Sequence, residues 1–350
     1  MSPPPPAPPS LLAAAPSFAL ALERITPSLE LIEQAMREQL VSEADVIAAV
    51  GDHVLSSGGK RVRPALLLLC AELCGYTGPR RVQVAAAVEL LHTATLLHDD
   101  VVDASQLRRG RPSAMALWGN RRAVLAGDFF YARASSMIVE DGDLDVLWVF
   151  SNTIRSMAEG EILQLQRSFD PEVTEAQYYA VIDRKSAALL AAACEAGAIL
   201  GGVTRAERRR VAEFGRELGL AFQIRDDALD YEAGADVLGK PPYTDLREGK
   251  VTLPLLLALK RCTPAERAAV AAVLKSAARL EGCDGAGQPV DAQELVPALE
   301  IVARYRGVED AVRRADEHVA RARAAVAPFP DGAAKEALTA AAEFAVARDR

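Results

Sequence analysis

Apolar residues recur three and four positions apart through almost the whole chain, the spacing that gathers them on one face of an α-helix. The pattern predicts helices over about 19–37, 43–56, 61–74, 80–104, 119–139, 143–168, 174–200, 204–232, 251–260, 263–276, 291–302, 304–325 and 332–348. No run of alternating apolar and polar residues predicts strands. Pro64 and Pro264 fit first-turn positions, where the amide hydrogen that proline lacks has no intrahelical acceptor. Breaks are short, with two exceptions. Gly239 to Lys250 (GKPPYTDLREGK) is a charged Gly/Pro loop, and Gly282 to Pro289 is a polar Gly-rich connection. Neither demands a domain split, so the expected architecture is all-α, a single-domain helical bundle over 19–350. The proline-rich start, 1–18, is expected to be a disordered or polyproline-type tail.

Composition narrows the function classes. Half of the 350 residues are hydrophobic and a quarter charged, so a large core is available. Aromatics are only 5% while Ala and Leu dominate, which favours closely packed helices over a β-sandwich. A net charge of −8 argues against nucleic acid as the main partner. Cys70, Cys74, Cys194, Cys262 and Cys283 are odd in number and scattered, and read as thiols of a reducing cytosol rather than zinc ligands. No stretch of about 18 uninterrupted apolar residues occurs, so no membrane span is expected. The start lacks the positive region of a signal peptide, and the expected location is cytoplasmic.

Two aspartate clusters interrupt this apolar text. Asp99-Asp100-Val101-Val102-Asp103 and Asp226-Asp227-Ala228-Leu229-Asp230 each end an apolar, helix-patterned run. Residues four apart share a helix face, so Asp99 projects with Asp103, and Asp226 with Asp230. Like charges at that spacing cost a few tenths of a kcal/mol per pair, and Asp is a poor helix former. A single cluster would pass for a solvated turn. Two copies of the same penalty imply a compensating ligand, and carboxylate oxygens suit Mg²⁺. Because Mg²⁺ is usually held by one or two carboxylates plus substrate phosphates, all six aspartates are candidate metal ligands around a phosphate or diphosphate. An EF-hand is excluded, since neither cluster has the required Gly and Glu.

Cations flank both clusters. Arg108 and Arg109 lie on a turn just after the first, and a guanidinium fork suits phosphate oxygens. Upstream, Gly58-Gly59-Lys60-Arg61-Val62-Arg63-Pro64 opens a helix, where amide groups with Lys60 and Arg63 would receive an anion. His92 lies two turns before Asp99 on the same face, whereas His98 points to a neighbouring direction. Gln223 precedes the second cluster, and Lys240 and Lys250 follow it. Lys185 interrupts an alanine-rich helix, where snorkelling and a phosphate contact are equally good readings. Gly160-Glu161 with Gln164 carries little meaning alone. Two anion pockets emerge, one Asp-rich and needing metal, the other Lys/Arg/His-rich. The sequence between them is Ala, Leu and Val, which suits a hydrocarbon tail. No activated nucleophile and no Walker-type loop is evident, so metal-assisted departure of diphosphate over a dry pocket is the expected chemistry.

These motifs together resemble the trans-isoprenyl diphosphate synthase (polyprenyl synthetase) family. The matching pieces are GGKRVRP at 58–64, ELLHTATLLHDDVVD at 89–103, RRGRPS at 108–113, LAGDFF at 125–130, GEILQL at 160–165, FQIRDDALDY at 222–231 and GK…DL..GK.TLPLL at 239–256. After about residue 260 the resemblance weakens, although FAVARDR at the end is similar to the family's ending. The resemblance implies an isoprenoid synthase fold, a helical bundle around a deep central cavity with the two aspartate helices facing. It implies three Mg²⁺ ions bridging Asp99, Asp103 and Asp226 to an allylic diphosphate, with Arg108, Lys185, Ser186, Gln223, Lys240 and Lys250 around the same group. Asp99, Asp103, Lys185, Asp226 and Lys240 would carry catalysis. Isopentenyl diphosphate would sit on Lys60, Arg63, His92 and Arg109 without metal. The departing diphosphate itself would take the proton. Members are usually homodimers. Two departures stand out. Ser186 replaces a frequent Thr, and Tyr243 stands where the family commonly has Gly, which adopts positive φ cheaply.

The growing tail is expected to run down the helix away from Asp99. Ala94 and Thr95, five and four residues before it, are small, and Val88 on nearly the same face is modest. Short-chain relatives carry bulky aromatics there. A long product, about C40–C50 and of the quinone side-chain type, is therefore expected, unless Met137 or another residue of the next helix floors the shaft earlier at about C15–C20. Competing readings are a non-catalytic subunit of a heteromeric synthase, disfavoured by six intact aspartates, and a class I terpene cyclase, disfavoured by the second cluster and by Lys60, Arg63 and His92. Hand-over of a greasy product at a membrane surface is left open. Thr95→Phe is expected to shorten the product, read by chain-length chromatography; an unchanged length would refute the open shaft.

Overall fold

Helical periodicity carries over into helices with shifts of only a few residues. The structure is a computed structural model and describes residues 16–59, 61–232, 243–281 and 292–347. Its first helices are α1 (Pro16–Glu38), α2 (Asp45–Ser56), α3 (Val62–Leu73) and α4 (Arg80–Val102). A hairpin of two-residue strands, β1 (Leu107–Arg108) and β2 (Arg111–Pro112), leads to the short α5 (Ala114–Trp118). Then come α6 (Asn120–Asp141), α7 (Leu144–Arg167), α8 (Glu175–Ile182), α9 (Ala188–Leu200) and α10 (Arg205–Glu232). The chain continues through α11 (Thr244–Arg247), α12 (Leu253–Leu259), α13 (Pro264–Glu281), α14 (Ala292–Arg304), α15 (Gly307–Val326) and α16 (Ala333–Ala347). Lys60, Lys240 and Cys283 lie outside the described residues, as does most of the expected tail. No described helix is long and apolar enough to cross a membrane.

Local chemistry explains the boundaries. Asp143 starts α7 by accepting hydrogen bonds from the amides of Asp145 (3.0 Å) and Val146 (3.3 Å). Thr174 and Gln177 form a reciprocal capping box at α8. Pro64 sits in the first turn of α3 and Pro264 opens α13, as expected.

Three features depart from the sequence reading. The helix expected over 174–200 is divided by a π turn, Asp183–Ala187. Arg108–Pro112, read as a bare turn, is an antiparallel hairpin pairing Arg108 with Arg111. Its two connecting residues, Arg109 (φ 53°) and Gly110 (φ 73°), both take positive φ, which matches the right-handed twist of a tight hairpin. The charged loop after the second aspartate cluster contains one helical turn, α11.

The bundle buries two adjoining apolar clusters. One is built mainly from α1–α4, α6, α9, α10 and α16, the other from α8, α10, α12–α15. The long α10 serves both. Val211, Phe214, Leu218 and Ala221 face the first cluster, and Leu220 and Ile224 the second. Its most extensive partner is α15, just as α6 is for α4. Both aspartate-bearing helices are thus braced along their length, and their charged ends are placed by apolar packing rather than by the charges.

Candidate active site

The first aspartate cluster occupies the C-terminal end of α4, the negative end of the helix dipole. Asp99 and Asp103 are half-buried. Burial pushes the Asp99 carboxyl up to about 6, with Glu161 and Asp103 adding to the rise while Lys185 and Arg108 oppose it. Asp100 points elsewhere. It is buried and accepts a 2.5 Å hydrogen bond from Arg108 Nε. The hairpin brings Arg108 back to the helix that it follows.

The second cluster ends α10 and is split among three tasks. Asp226 is exposed. Asp227 is buried and accepts hydrogen bonds from Tyr178 Oη (2.6 Å) and Gln223 Nε2 (2.8 Å). Burial drives its carboxyl well above the ordinary value, and Asp245 adds to the rise. Asp230 is also buried and accepts from the amides of Thr244 (3.2 Å) and Asp245 (3.0 Å), which starts α11. Spacing had counted Asp100, Asp227 and Asp230 with the metal ligands. In the structure each of the three has protein donors, because a carboxylate under a packed helix end must find partners nearby.

Cations reach the cleft from the π turn and from the loop beyond α11. Lys185 Nζ pairs with Glu161 at 2.6 Å. Ser186 Oγ donates to Gln223 Oε1 at 2.6 Å, so Gln223 bridges Ser186 and Asp227. Gly160 permits this approach, since a Cβ there would lie 2.7 Å from the Lys185 amide nitrogen. The weak Gly160-Glu161 signal thus acquires a reason. Lys250 Nζ lies 2.6 Å from Glu248 and 3.7 Å from Asp103 across the cleft. Burial alone would pull its ammonium down, but Asp103, Glu248 and Asp245 more than offset that and hold it above its ordinary value. The backbone at Tyr243 is left-handed, with φ 61°, the conformation for which glycine is the inexpensive residue. The cleft encloses about 700 Å³, its open mouth included, and is lined by Gln164, Tyr178, Lys185, Gln223, Asp227 and Lys250 among others. Tyr178 escaped the sequence reading because its partner Asp227 is 49 residues away and nothing local signals it.

A second group of cations gathers between α3, α4 and the hairpin. Arg61 Nη1 donates to Glu89 at 3.0 Å, a pair absent from the sequence reading. Arg63 Nε is buried without a hydrogen-bond partner. Burial pushes His92 well below its ordinary value, and Arg63, Arg109, Arg108 and Arg61 reinforce this, so it is neutral at pH 7. The Arg109 guanidinium reaches Gly59, where an added Cβ would lie 3.0 Å from Nη1. Four guanidiniums and an orphaned buried donor around one neutral imidazole make an anion pocket that needs no metal. His98 instead contacts the Val124 carbonyl (3.2 Å) and Asp128 (3.4 Å), apart from this pocket.

Below the clusters α4 is apolar. Ala94 is buried, and Thr95 Oγ1 is occupied by the His92 carbonyl at 2.8 Å. Val88 lines a small void with Val84, Ile138, Phe150 and Thr153. Met137 is buried on α6.

Among the described residues no three His, Cys, Asp or Glu side chains converge tightly enough to hold an ion by themselves. Asp99, Asp103 and Asp226 still fit Mg²⁺, which takes few carboxylates and completes its shell with water and phosphate oxygens. The metal-free protein carries the cost of Asp99. Its unfolded carboxyl ionises near 3.8 and its folded one near 6, so the folded state holds the extra proton and loses stability as pH rises through that window. Asp99→Asn is expected to raise the unfolding free energy at pH 7 without added metal by on the order of 1–3 kcal/mol, with a higher midpoint, and to flatten its pH dependence between about 4 and 6. A lowered or unchanged midpoint in thermal denaturation would contradict this.

Known proteins resemble this chain in sequence and fold. The family model for polyprenyl synthetases matches residues 44–283. The octaprenyl diphosphate synthase of Escherichia coli is 42% identical over 319 residues, covering 91% of this chain and 95% of that protein. A polyprenyl synthase from Caulobacter crescentus, solved with calcium and isoprenyl diphosphate, superposes with a TM-score of 0.88 at 37% identity, over 96% of this chain and 99% of that one. A decaprenyl diphosphate synthase from Rhodobacter capsulatus gives a TM-score of 0.86 at 36% identity, over 95% and 99%. With the paired carboxylate helices and the two anion pockets on one bundle, the chain belongs to the polyprenyl synthetase family of prenyltransferases.

Proposed function

We propose that the protein is a Mg²⁺-dependent long-chain polyprenyl diphosphate synthase, which condenses isopentenyl diphosphate with an allylic diphosphate. The single observation that carries this reading is the side-by-side pair of anion pockets, one with carboxylates and lysines, the other with arginines around a neutral His92. The long-chain part is supported by small residues at Ala94 and Thr95 and by relatives named for octaprenyl and decaprenyl products.

Asp99, Asp103 and Asp226 would hold the metal, with three ions proposed when substrate is bound. Mg²⁺ held there would supply Lewis-acid stabilisation of the negative charge on a departing diphosphate. Lys185 and Lys250, each already beside a cleft carboxylate, turn to the same diphosphate oxygens, and Lys240 joins them. Arg63, Arg109 and neutral His92 fix isopentenyl diphosphate so that its double bond faces C1. The surrounding Ala, Leu and Val keep water from the cationic carbon. No protein base is required if the departing diphosphate accepts the proton.

A second copy of the chain is proposed as partner. On α6 and α7 the outward stripe carries Leu125 (64% exposed), Trp148 (68% exposed), Tyr131, Ile162 and Leu165. An apolar face of this kind on two long helices suits an isologous interface. Light scattering is expected to give twice the 37.3 kDa chain mass, and Leu125→Glu with Trp148→Glu to give the monomer. A monomeric wild type would refute it.

Purified protein with Mg²⁺, farnesyl diphosphate and labelled isopentenyl diphosphate is expected to yield an elongated diphosphate of about C40–C50. Asp99→Asn with Asp226→Asn is expected to reduce turnover about 100-fold or more. A cyclic hydrocarbon, or no turnover, would overturn the assignment.

A further inference from the structure

The π turn carrying Lys185 is fastened at both ends. Toward the cleft, Ser186 is tied through Gln223 to Asp227, and Asp227 in turn holds Tyr178 Oη at 2.6 Å. On the other side Asp183, the first residue of the turn, accepts a 2.6 Å hydrogen bond from Arg216 Nε. Arg216 also lies 3.5 Å from Glu217. Glu217 is 5% exposed, and its Oε2 accepts from His318 Nδ1 (2.7 Å) and Arg321 Nε (2.8 Å). Burial would raise its carboxyl, but His318 and Arg321 outweigh that and keep it ionised. His318, also 5% exposed, presents Nε2 to Tyr179 Oη at 3.4 Å. The adjacent Tyr178 and Tyr179 rings meet edge to face at 5.5 Å. One dipeptide of α8 therefore joins a buried ion cluster on α10 and α15 to the second aspartate cluster.

This bracing answers a physical need. A π turn has an extra residue and poorer hydrogen bonding than an α-helix, and relaxing it would turn one flank about 100° against the other. Lys185 would then leave the cleft. Gly219 shows how closely the turn is held, since a Cβ there would lie 2.6 Å from Ala187 Cα.

The structure assigns Tyr178 and His318 as positioning residues that keep Lys185 and the second aspartate cluster in register. This rests on the function proposed above. Tyr178→Phe removes one hydroxyl and leaves the fold's volume intact. It is expected to raise the KM for farnesyl diphosphate about 10-fold while that for isopentenyl diphosphate changes less than about 2-fold. Hydrogen exchange of 183–187, measured without metal or substrate, is expected to quicken about 10-fold in the same variant and in His318→Leu, and less in His318→Gln, whose amide still donates to Glu217. If exchange at the turn is unchanged in Tyr178→Phe and His318→Leu, or if both KM values rise together with a fall in thermal stability, the assignment is wrong. Should wild type show no turnover, the function falls, and the exchange measurement alone decides this assignment.

Discussion

Carboxylates held beside one another at a helix end, partly out of water, cannot all remain ionised without cations. That constraint organises the cleft. Asp99 responds by clinging to its proton up to about pH 6. Around it the chain supplies Lys185 and Arg108, which oppose the rise of Asp99, and Lys250, which reaches Asp103. The resident cations are only partial compensation. They leave a site poised to gain from divalent metal, and a diphosphate bound with the metal would release the lysines from their present carboxylate partners.

The remaining aspartates show how a charge becomes structural. Asp100, Asp227 and Asp230 accept from Arg108, from Tyr178 and Gln223, and from two backbone amides. Each is buried, and a buried carboxylate with no donor would cost more than the hydrogen bonds return. Neighbouring aspartates of one motif thus differ in burial: Asp99, Asp103 and Asp226 are half-buried or exposed, while Asp100, Asp227 and Asp230 are buried against protein donors. The arginine pocket obeys the opposite rule, with like-charged guanidiniums sharing a neutral His92 and partly balanced by Glu89.

Much of the site was legible because the sequence stated its chemistry locally. Arg108 and Arg109 follow Asp103 closely, and a hairpin is enough to return them. His92 needed only helical periodicity to be placed above the cluster. Tyr243 was legible as a problem, and its left-handed backbone is the form that problem takes. The π turn was not legible, because Asp183–Ala187 reads as ordinary helix. Tyr178 and the Glu217–His318 pair were hidden because their partners lie 49 and 101 residues away, distances at which no periodicity speaks.

Sequence by itself determined the helical class, the helix boundaries to within a few residues, the positions of the two aspartate clusters at helix ends and the cation types beside them. All of these follow from interactions within a few turns of chain. Only the tertiary structure decided which aspartates are buried on protein donors, that Lys185 enters the cleft through a π turn, and that α15 braces α10 from behind. Those outcomes depend on burial and on partners from distant segments, and burial exists only once the helices have packed.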